Sequence, residues 1–234
     1  MEKTIELIDG YTDPKKVSHR EVVISKHLRG ADLFAIDSDP QNTGPTVREC
    51  LILRAAITKF GGLKMPVAVS VLLALDSIDR DDLLDAYNQL QEEERGGRAA
   101  KILSDSKIQL ALGYEHEGVR YDVVEFGSRI TGQDFVEADA LELDASRRAF
   151  FLVGRQVSTV SQSDGGLSTT GQLSLEACGK LCIHDLYALR GAAEIWRQSF
   201  RLGRAKIQDK HGADGSHVGA GHGMEREADS ATAG

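Results

Sequence analysis

The residues of this sequence that could bind a metal or attack a substrate are few. Cys178 and Cys182 are four residues apart on a predicted helix, and His184 follows them. Two thiolates and an imidazole can hold zinc, but a closed structural zinc site needs four ligands, and no second pair lies nearby in the sequence. Small cysteines on an apolar stripe are more typical of a protein core. The pattern therefore favours buried cysteines over a metal site.

Candidates for other chemistry are weaker. The pairs Ser18-His19 and His184-Asp185 combine a base with a hydroxyl or an acid, but neither pair lies in a nucleophile-elbow motif. The glycine-rich end of the chain carries three histidines that could bind a transition metal loosely, namely His211, His217 and His222. Such ligands are not preorganised, and the glycines beside them follow no predicted strand, as a phosphate-binding loop requires. We therefore expect no enzymatic activity, no cofactor and no resident metal.

An acid-rich stretch at residues 76–82 (DSIDRDD) is the remaining candidate for metal binding. Acidic residues in the first turn of a helix also interact favourably with its N-terminal dipole, by about 0.3 to 1 kcal/mol each. The stretch precedes a run with apolar residues at helical spacing. We interpret it as the solvated start of a helix.

A short stretch that occurs twice organises the rest of the chain. The two occurrences are residues 28–34 (LRGADLF) and 130–136 (ITGQDFV), and their glycines, Gly30 and Gly132, are 102 positions apart. In each, a strand-like run ends, a glycine permits a sharp turn, and an aspartate begins a helix. Flanking apolar, glycine and turn positions match at separations of 100 to 103. The sequence therefore predicts two tandem copies of one small domain.

Each copy is predicted to be α+β, with a β-hairpin followed by about four helices. In the first copy the hairpin spans residues 4–27, and a helix with a three-and-four apolar rhythm covers 47–60. The corresponding strands and helices of the second copy are expected at 107–112, 119–127, 132–140, 145–160, 171–179 and 183–201. The predicted organisation is a first domain at 1–95, a linker at 96–106, a second domain at 107–203 and a disordered tail at 204–234. The tail is rich in Gly and His and has almost no apolar residue to bury.

Composition limits the function further. The net charge of -8 and the 6% aromatic content argue against nucleic-acid binding, which requires a basic surface. Three cysteines in no paired framework are typical of a reducing compartment, and no apolar run is long enough to cross a bilayer. Domains of this size bury only about two thirds of their unfolded surface alone and tend to associate with a twin or a partner. We expect a cytoplasmic protein with no membrane contact and leave self-association open.

Four segments of the first copy together resemble the tail assembly chaperone family of Mu-like contractile-tailed bacteriophages. They are the hairpin at 5–27, the turn at 28–34, the helix at 51–58 (LILRAAIT) and the segment 72–83 (LLALDSIDRDDL). The second copy resembles a diverged member of that family, because most of its matching positions are apolar while the acids at 76–82 are largely replaced.

The resemblance implies a non-enzymatic protein of the host cell cytoplasm. Such a chaperone would bind the tape measure protein and keep it soluble until tail tube subunits polymerise around it. The tail tube protein is a further partner that the sequence leaves open, as is the origin of the second copy by translational frameshift or by gene duplication. We predict that tape measure helices bind an apolar face adjoining Leu72, Leu83 and Tyr87. The alternatives are a structural tail or baseplate component retained in the virion and a small enzyme using Cys178, Cys182 and His184.

Overall fold

A computed structural model describes the backbone of residues 2–213 and the side chains of residues 2–200. Over this range the chain is a mixed α+β protein with two antiparallel sheets and eight helices. The first sheet has the order β1-β2-β3, and its strands are β1 (Lys3–Thr12), β2 (Ser18–Ile24) and β3 (Ile57–Phe60). Helices α1 (Gly30–Asp37) and α2 (Pro45–Ala56) lie between β2 and β3 in the chain, and α3 (Val69–Leu73) and α4 (Ser77–Arg95) follow β3.

The second sheet has five strands in sequential order. They are β4 (Lys101–Ser104), β5 (Lys107–His116), β6 (Val119–Phe126), β7 (Val157–Ser161) and β8 (Ser168–Thr170). The remaining helices are α5 (Gly132–Ala140), α6 (Ala145–Gln156), α7 (Leu175–Lys180) and α8 (Ile183–Ala213). Both predicted hairpins form, as β1 with β2 and β5 with β6. Strand β4 lies in the segment that the sequence predicts to be a linker.

The predicted helices at 47–60 and 145–160 are shorter than expected. Helix α2 ends at Ala56 and α6 at Gln156, and the next residues form β3 and β7. β-Branched residues such as Ile57 and Val157 favour extended backbone. Each short strand pairs with its neighbour through a register irregularity, so that residues three apart, Ile57 and Phe60 in β3, are both buried. Because that spacing is also the helical one, the apolar rhythm alone indicated a continuing helix.

Both hairpins contain a break in register at a glycine. The pairing of β1 with β2 shifts between Glu6 and Tyr11, and Gly10 has a φ of 69°. The pairing of β5 with β6 shifts between Gln109 and Tyr114, and Gly113 has a φ of 66°. Left-handed backbone of this kind favours glycine. The register break leaves several strand N–H groups without a hydrogen bond to the neighbouring strand.

Two clusters of buried side chains form the core, and α1 connects them. One cluster is built from β1 to β3 and α2 to α4, and the other from β5 to β7 and α6 to α8. Ile36 of α1 belongs to the first cluster, whereas Leu33 and Phe34 of the same helix belong to the second. Helix α1 therefore ties the two parts of the core together.

Of the predicted tail at 204–234, residues 204–213 belong to α8, which ends at Ala213. Residues 214–234, which include His217, His222 and most of the predicted disordered tail, lie outside the described part of the chain. Among the described helices, none combines the length and apolar character needed to cross a membrane.

Candidate partner-binding surfaces

The three residues predicted to adjoin a partner-binding face are core residues. Leu72 and Leu83 are 0% exposed and Tyr87 is 7% exposed, all in the first cluster. Burial raises the pKa of the Tyr87 hydroxyl. A partner that docks here without disturbing the core would contact the exposed neighbours Leu73 and Ile78, which are 42% and 57% exposed.

The cysteines at the end of the second half are also buried. Burial raises the pKa of Cys178 to about 12 and that of Cys182 to about 11, so both thiols are neutral at physiological pH. The Cys182 Sγ accepts a hydrogen bond from the Asp185 N–H at 3.4 Å. Within the described residues, no group of three or more His, Cys, Asp or Glu side chains is placed to hold a metal ion.

His19 has a structural environment. It is 7% exposed, its Nδ1 accepts a hydrogen bond from the Gly62 N–H at 3.2 Å, and its Nε2 lies 3.4 Å from Asp13 Oδ2. These contacts join β2 to the turn after β3 and to the β1–β2 turn. The imidazole therefore stabilises the first hairpin.

Asp79 and Asp185 have a role that the sequence patterns did not reveal. Each is the third residue of a helix, and they are 1% and 0% exposed. The Asp79 carboxylate accepts hydrogen bonds from three successive β1 N–H groups, those of Ile8, Asp9 and Gly10, at 2.7, 3.1 and 2.7 Å. The prediction that the acids at 76–82 form a solvated helix start is thus wrong for Asp79.

Asp185 makes the same connection in the second half. Its carboxylate accepts from the N–H groups of Ala111, Leu112 and Gly113 at 2.6, 2.8 and 2.8 Å. These N–H groups lie at the register break of β5, so the carboxylate satisfies donors that the strand ladder leaves unpaired. The sequence carries one signal for this contact. In both α4 and α8 the aspartate lies four residues before a core leucine, and therefore on the buried stripe of the helix.

A groove with a volume of about 440 Å³ opens between α1, α2 and the segment before α3. Most of its lining is apolar. The apolar lining residues are Ala35, Ile36, Leu51, Ala55, Ile57, Met65 and Pro66. Asp32, Asp39 and Arg54 also line it, and the last two lie 3.8 Å apart as an ion pair. We call this surface the α1–α2 groove.

In the second half an arginine lies over the corresponding apolar surface. The Arg155 guanidinium lies 4.8 Å from the centre of the Phe151 ring, and it pairs with Glu137 and with Asp134 at 3.7 Å. Arg155 follows Phe151 by four residues in α6, as Ala55 follows Leu51 in α2. Because alanine is small, the α1–α2 groove stays open in the first half.

Helix α1 also forms the main contact between the two halves, against α7. The Gly30 N–H donates to the Leu181 carbonyl at 2.9 Å, and Arg29 forms an isolated antiparallel bridge with Cys182. A Cβ atom at Gly30 would collide with the carbonyl oxygen of Cys178. This close approach explains why a glycine begins α1.

Comparison of the chain with family models, curated proteins and solved structures gives no match.

Proposed function

We propose that this protein is a tail assembly chaperone of a contractile-tailed phage and that it binds tape measure helices in the α1–α2 groove. The observation that carries this proposal is the groove itself, an open and mainly apolar surface with charged residues beside it. Amphipathic helices dock into such grooves through apolar side chains spaced three or four residues apart. The family resemblance of residues 5–83 supplies the identity of the client.

The charge of the protein suits this role. A chain with a net charge of -8 stays soluble and repels other acidic surfaces while an apolar groove is occupied. The pairing of Arg54 with Asp39 leaves the groove lined by both signs of charge. The groove therefore fits a helix whose apolar stripe is flanked by both acidic and basic residues.

We further infer that the chain consists of two tandem copies of one module. The order of strands and helices is the same in both halves apart from the additional strands β4 and β8 of the second. The paired contacts of Asp79 and Asp185 and the glycines at both register breaks also support this. The ion pair of Arg48 with Asp37 has a counterpart in Arg148 with Asp139. With the second groove covered by Arg155, the first copy binds the client and the second has another role.

The role of the α1–α2 groove can be tested by placing in it an arginine like Arg155, which lies over Phe151 in the second copy. Ala55→Arg places a guanidinium beside Leu51, as Arg155 lies over Phe151. We expect this variant to lose co-purification with the tape measure protein in co-expression and to leave that protein insoluble. Ser168→Arg adds the same charge on exposed strand β8 and serves as the control. Undiminished capture by a folded Ala55→Arg variant would exclude this groove.

A second measurement separates a chaperone from a structural component. A chaperone leaves the assembly, whereas a tail or baseplate subunit remains in it. We therefore expect mass spectrometry of purified virions to find the tube and tape measure proteins without this chain. Recovery of the chain in amounts comparable to the tube protein would contradict the proposal.

A further inference from the structure

The contact of α1 with α7 buries two apolar side chains of α1 completely. Leu33 is 1% exposed and Phe34 is 4% exposed, and the Phe34 ring lies 5.5 Å from the ring of Phe150 in α6. These side chains, contributed by the first half, fill part of the core of the second half. The α1 face defined by Gly30, Leu33 and Phe34 is thus an apolar projection that requires a receiving surface.

A polar contact fixes the edge of this interface. The Arg48 Nε donates to Asp37 Oδ1 at 2.8 Å, and its Nη2 donates to the Tyr187 hydroxyl at 3.0 Å. Asp37 closes α1, and Tyr187 lies in the first turns of α8. Arg48 therefore holds the end of α1 against the second half.

Helix α5 carries a similar set of side chains that no other helix of the described residues covers; the Arg148 guanidinium lies 5.9 Å from the centre of the Phe135 ring. Gly132, Phe135 and Val136 stand 102 residues after Gly30, Leu33 and Phe34. Phe135 is 43% exposed and Val136 is 59% exposed, in contrast to their buried counterparts. A Cβ at Gly132 would meet no atom of the described residues within 4 Å, whereas one at Gly30 would collide with α7. We call Gly132, Phe135 and Val136 the α5 face.

The matching receiving surface is exposed on the first half. Asp79 and Asp185 occupy the same helix position and are 106 residues apart, which corrects the separations of 100 to 103 from the sequence match for this segment. Leu73, Asp76 and Asp81 then correspond to Gly179, Cys182 and Tyr187. Gly179 and Cys182 are buried beneath α1, whereas Leu73 and Asp76 are exposed. We call Leu73, Asp76 and Asp81 the α3–α4 corner. A Cβ at Gly179 would lie 3.4 Å from the Ala31 Cβ, so the larger Leu73 at this position would pack directly against a docked helix.

The charges at the edge are complementary. Arg148 pairs with Asp139 as Arg48 pairs with Asp37. Where Arg48 reaches Tyr187, the guanidinium of Arg148 would reach Asp81 on the receiving surface. An exposed carboxylate opposite an arginine favours docking in this register and orientation.

We infer that a second copy of this chain docks its α5 face on the α3–α4 corner of the first. The contact between the two molecules would resemble the contact that α1 makes with α7 within one molecule. The inference rests on the tandem organisation proposed above and not on the identity of the client. The two surfaces differ and lie on one chain, so the interface is heterologous, and further copies add in a head-to-tail manner. The partner is another copy of this chain because the α5 face and the α3–α4 corner match the two sides of the chain's own α1–α7 contact.

Sedimentation velocity of the full chain without any client tests this inference. We expect the mass to rise with concentration from 25.4 kDa to multiples of it. Val136→Asp on the α5 face and Leu73→Asp or Asp81→Arg on the α3–α4 corner should each hold the chain at 25.4 kDa with unchanged circular dichroism. Leu167→Asp, at a residue 57% exposed between β7 and β8, is the matched control and should assemble normally. A wild-type chain that stays monomeric at all concentrations would overturn the inference.

Mixing two variants distinguishes a head-to-tail interface from a symmetric one. Val136→Asp keeps the α3–α4 corner, and Leu73→Asp keeps the α5 face, so together they can form one wild-type interface. We expect the mixture to yield a complex of two chains and nothing larger. A mixture that remains monomeric while each variant is folded would contradict the pairing of these two surfaces.

Gly132→Ala probes the close approach directly. The free chain has room for the added methyl group, so the thermal midpoint should not fall. Docking like that of Gly30 on Cys178 would bring this methyl group against a carbonyl, so association should weaken at least tenfold. Unchanged association would exclude a contact built like that of α1 with α7.

Discussion

Asp79 and Asp185 lie 106 residues apart and bind the same feature, a glycine-containing break in the first long strand of their half of the core. Each carboxylate replaces the missing ladder partners of three successive N–H groups. Charge-assisted hydrogen bonds of this kind are stronger than neutral ones. The two aspartates therefore join the start of the last helix to the hairpin in each half.

Replacement of either aspartate by asparagine should destabilise the protein. The amide offers one acceptor oxygen in place of two, and its NH₂ group faces backbone donors, which leaves buried donors unpaired at about 1 to 3 kcal/mol each. We expect Asp185→Asn and Asp79→Asn to lower the free energy of unfolding by such an amount in urea titrations. Asp81→Asn, at an exposed position in the same helix as Asp79, should change it by less than about 0.5 kcal/mol at a protein concentration low enough to keep the chain monomeric. Equal effects at positions 79 and 81 would contradict the role given to the Asp79 carboxylate.

Alanine at Gly30 and at Gly132, 102 residues later, should have opposite consequences. Gly30→Ala forces a methyl group against the Cys178 carbonyl, and overpacking of this kind costs about 1 to 3 kcal/mol. Gly132→Ala meets open space and gains helix propensity of up to about 1 kcal/mol. Thermal unfolding measured at low protein concentration should therefore show a lower Tm for the first variant and an equal or higher Tm for the second. A lower Tm for both would indicate that Gly132 is needed inside the monomer.

The aromatic side chain that enters the second core should be a large contributor to stability. Phe34→Ala removes a buried ring packed against Phe150, and such truncations cost about 3 to 5 kcal/mol. Val136→Ala removes an exposed side chain and should cost less than about 0.5 kcal/mol at a protein concentration low enough to keep the chain monomeric. Urea unfolding followed by circular dichroism and by Trp196 fluorescence measures both. A small loss for Phe34→Ala would show that α1 does not hold the second core together.

The cysteines should be unreactive in the native protein. Cys50, Cys178 and Cys182 are buried, and burial raises the pKa of each thiol, to about 12 for Cys178 and about 11 for Cys182. Since only the thiolate is nucleophilic, pKa values of about 12 and about 11 leave Cys178 and Cys182 almost entirely as unreactive thiols at pH 8, and burial also shields Cys50 from the reagent. A chromogenic disulfide reagent should modify none of the three in the native state and all three in guanidinium. Ser70→Cys, at an exposed position, provides the reactive control. Rapid modification of native Cys178 or Cys182 would contradict this environment.

The ends of the helices predicted at 47–60 and 145–160, which are strands β3 and β7, show where sequence patterns fail. Ile57 and Phe60 continue the apolar rhythm of α2 in sequence, yet they lie in β3 because a register irregularity lets residues three apart face the same side. Strand formation there depends on pairing with β2, which lies more than thirty residues earlier. Periodicity within a segment carries no information about such a partner.

Local chemistry fixed what the sequence determined by itself: the α+β class, both hairpins, the turns at Gly30 and Gly132, and the positions of most helices. These depend on propensities, caps and apolar spacing within a few residues. The tertiary structure decided that Asp79 is buried and bound to a strand, and that Leu72, Leu83 and Tyr87 are core residues. It also decided that Leu33 and Phe34 of α1 are buried, whereas Phe135 and Val136 of α5 are exposed. Those outcomes arise from contacts between residues far apart in the chain, and two segments of the same local pattern can differ completely in them.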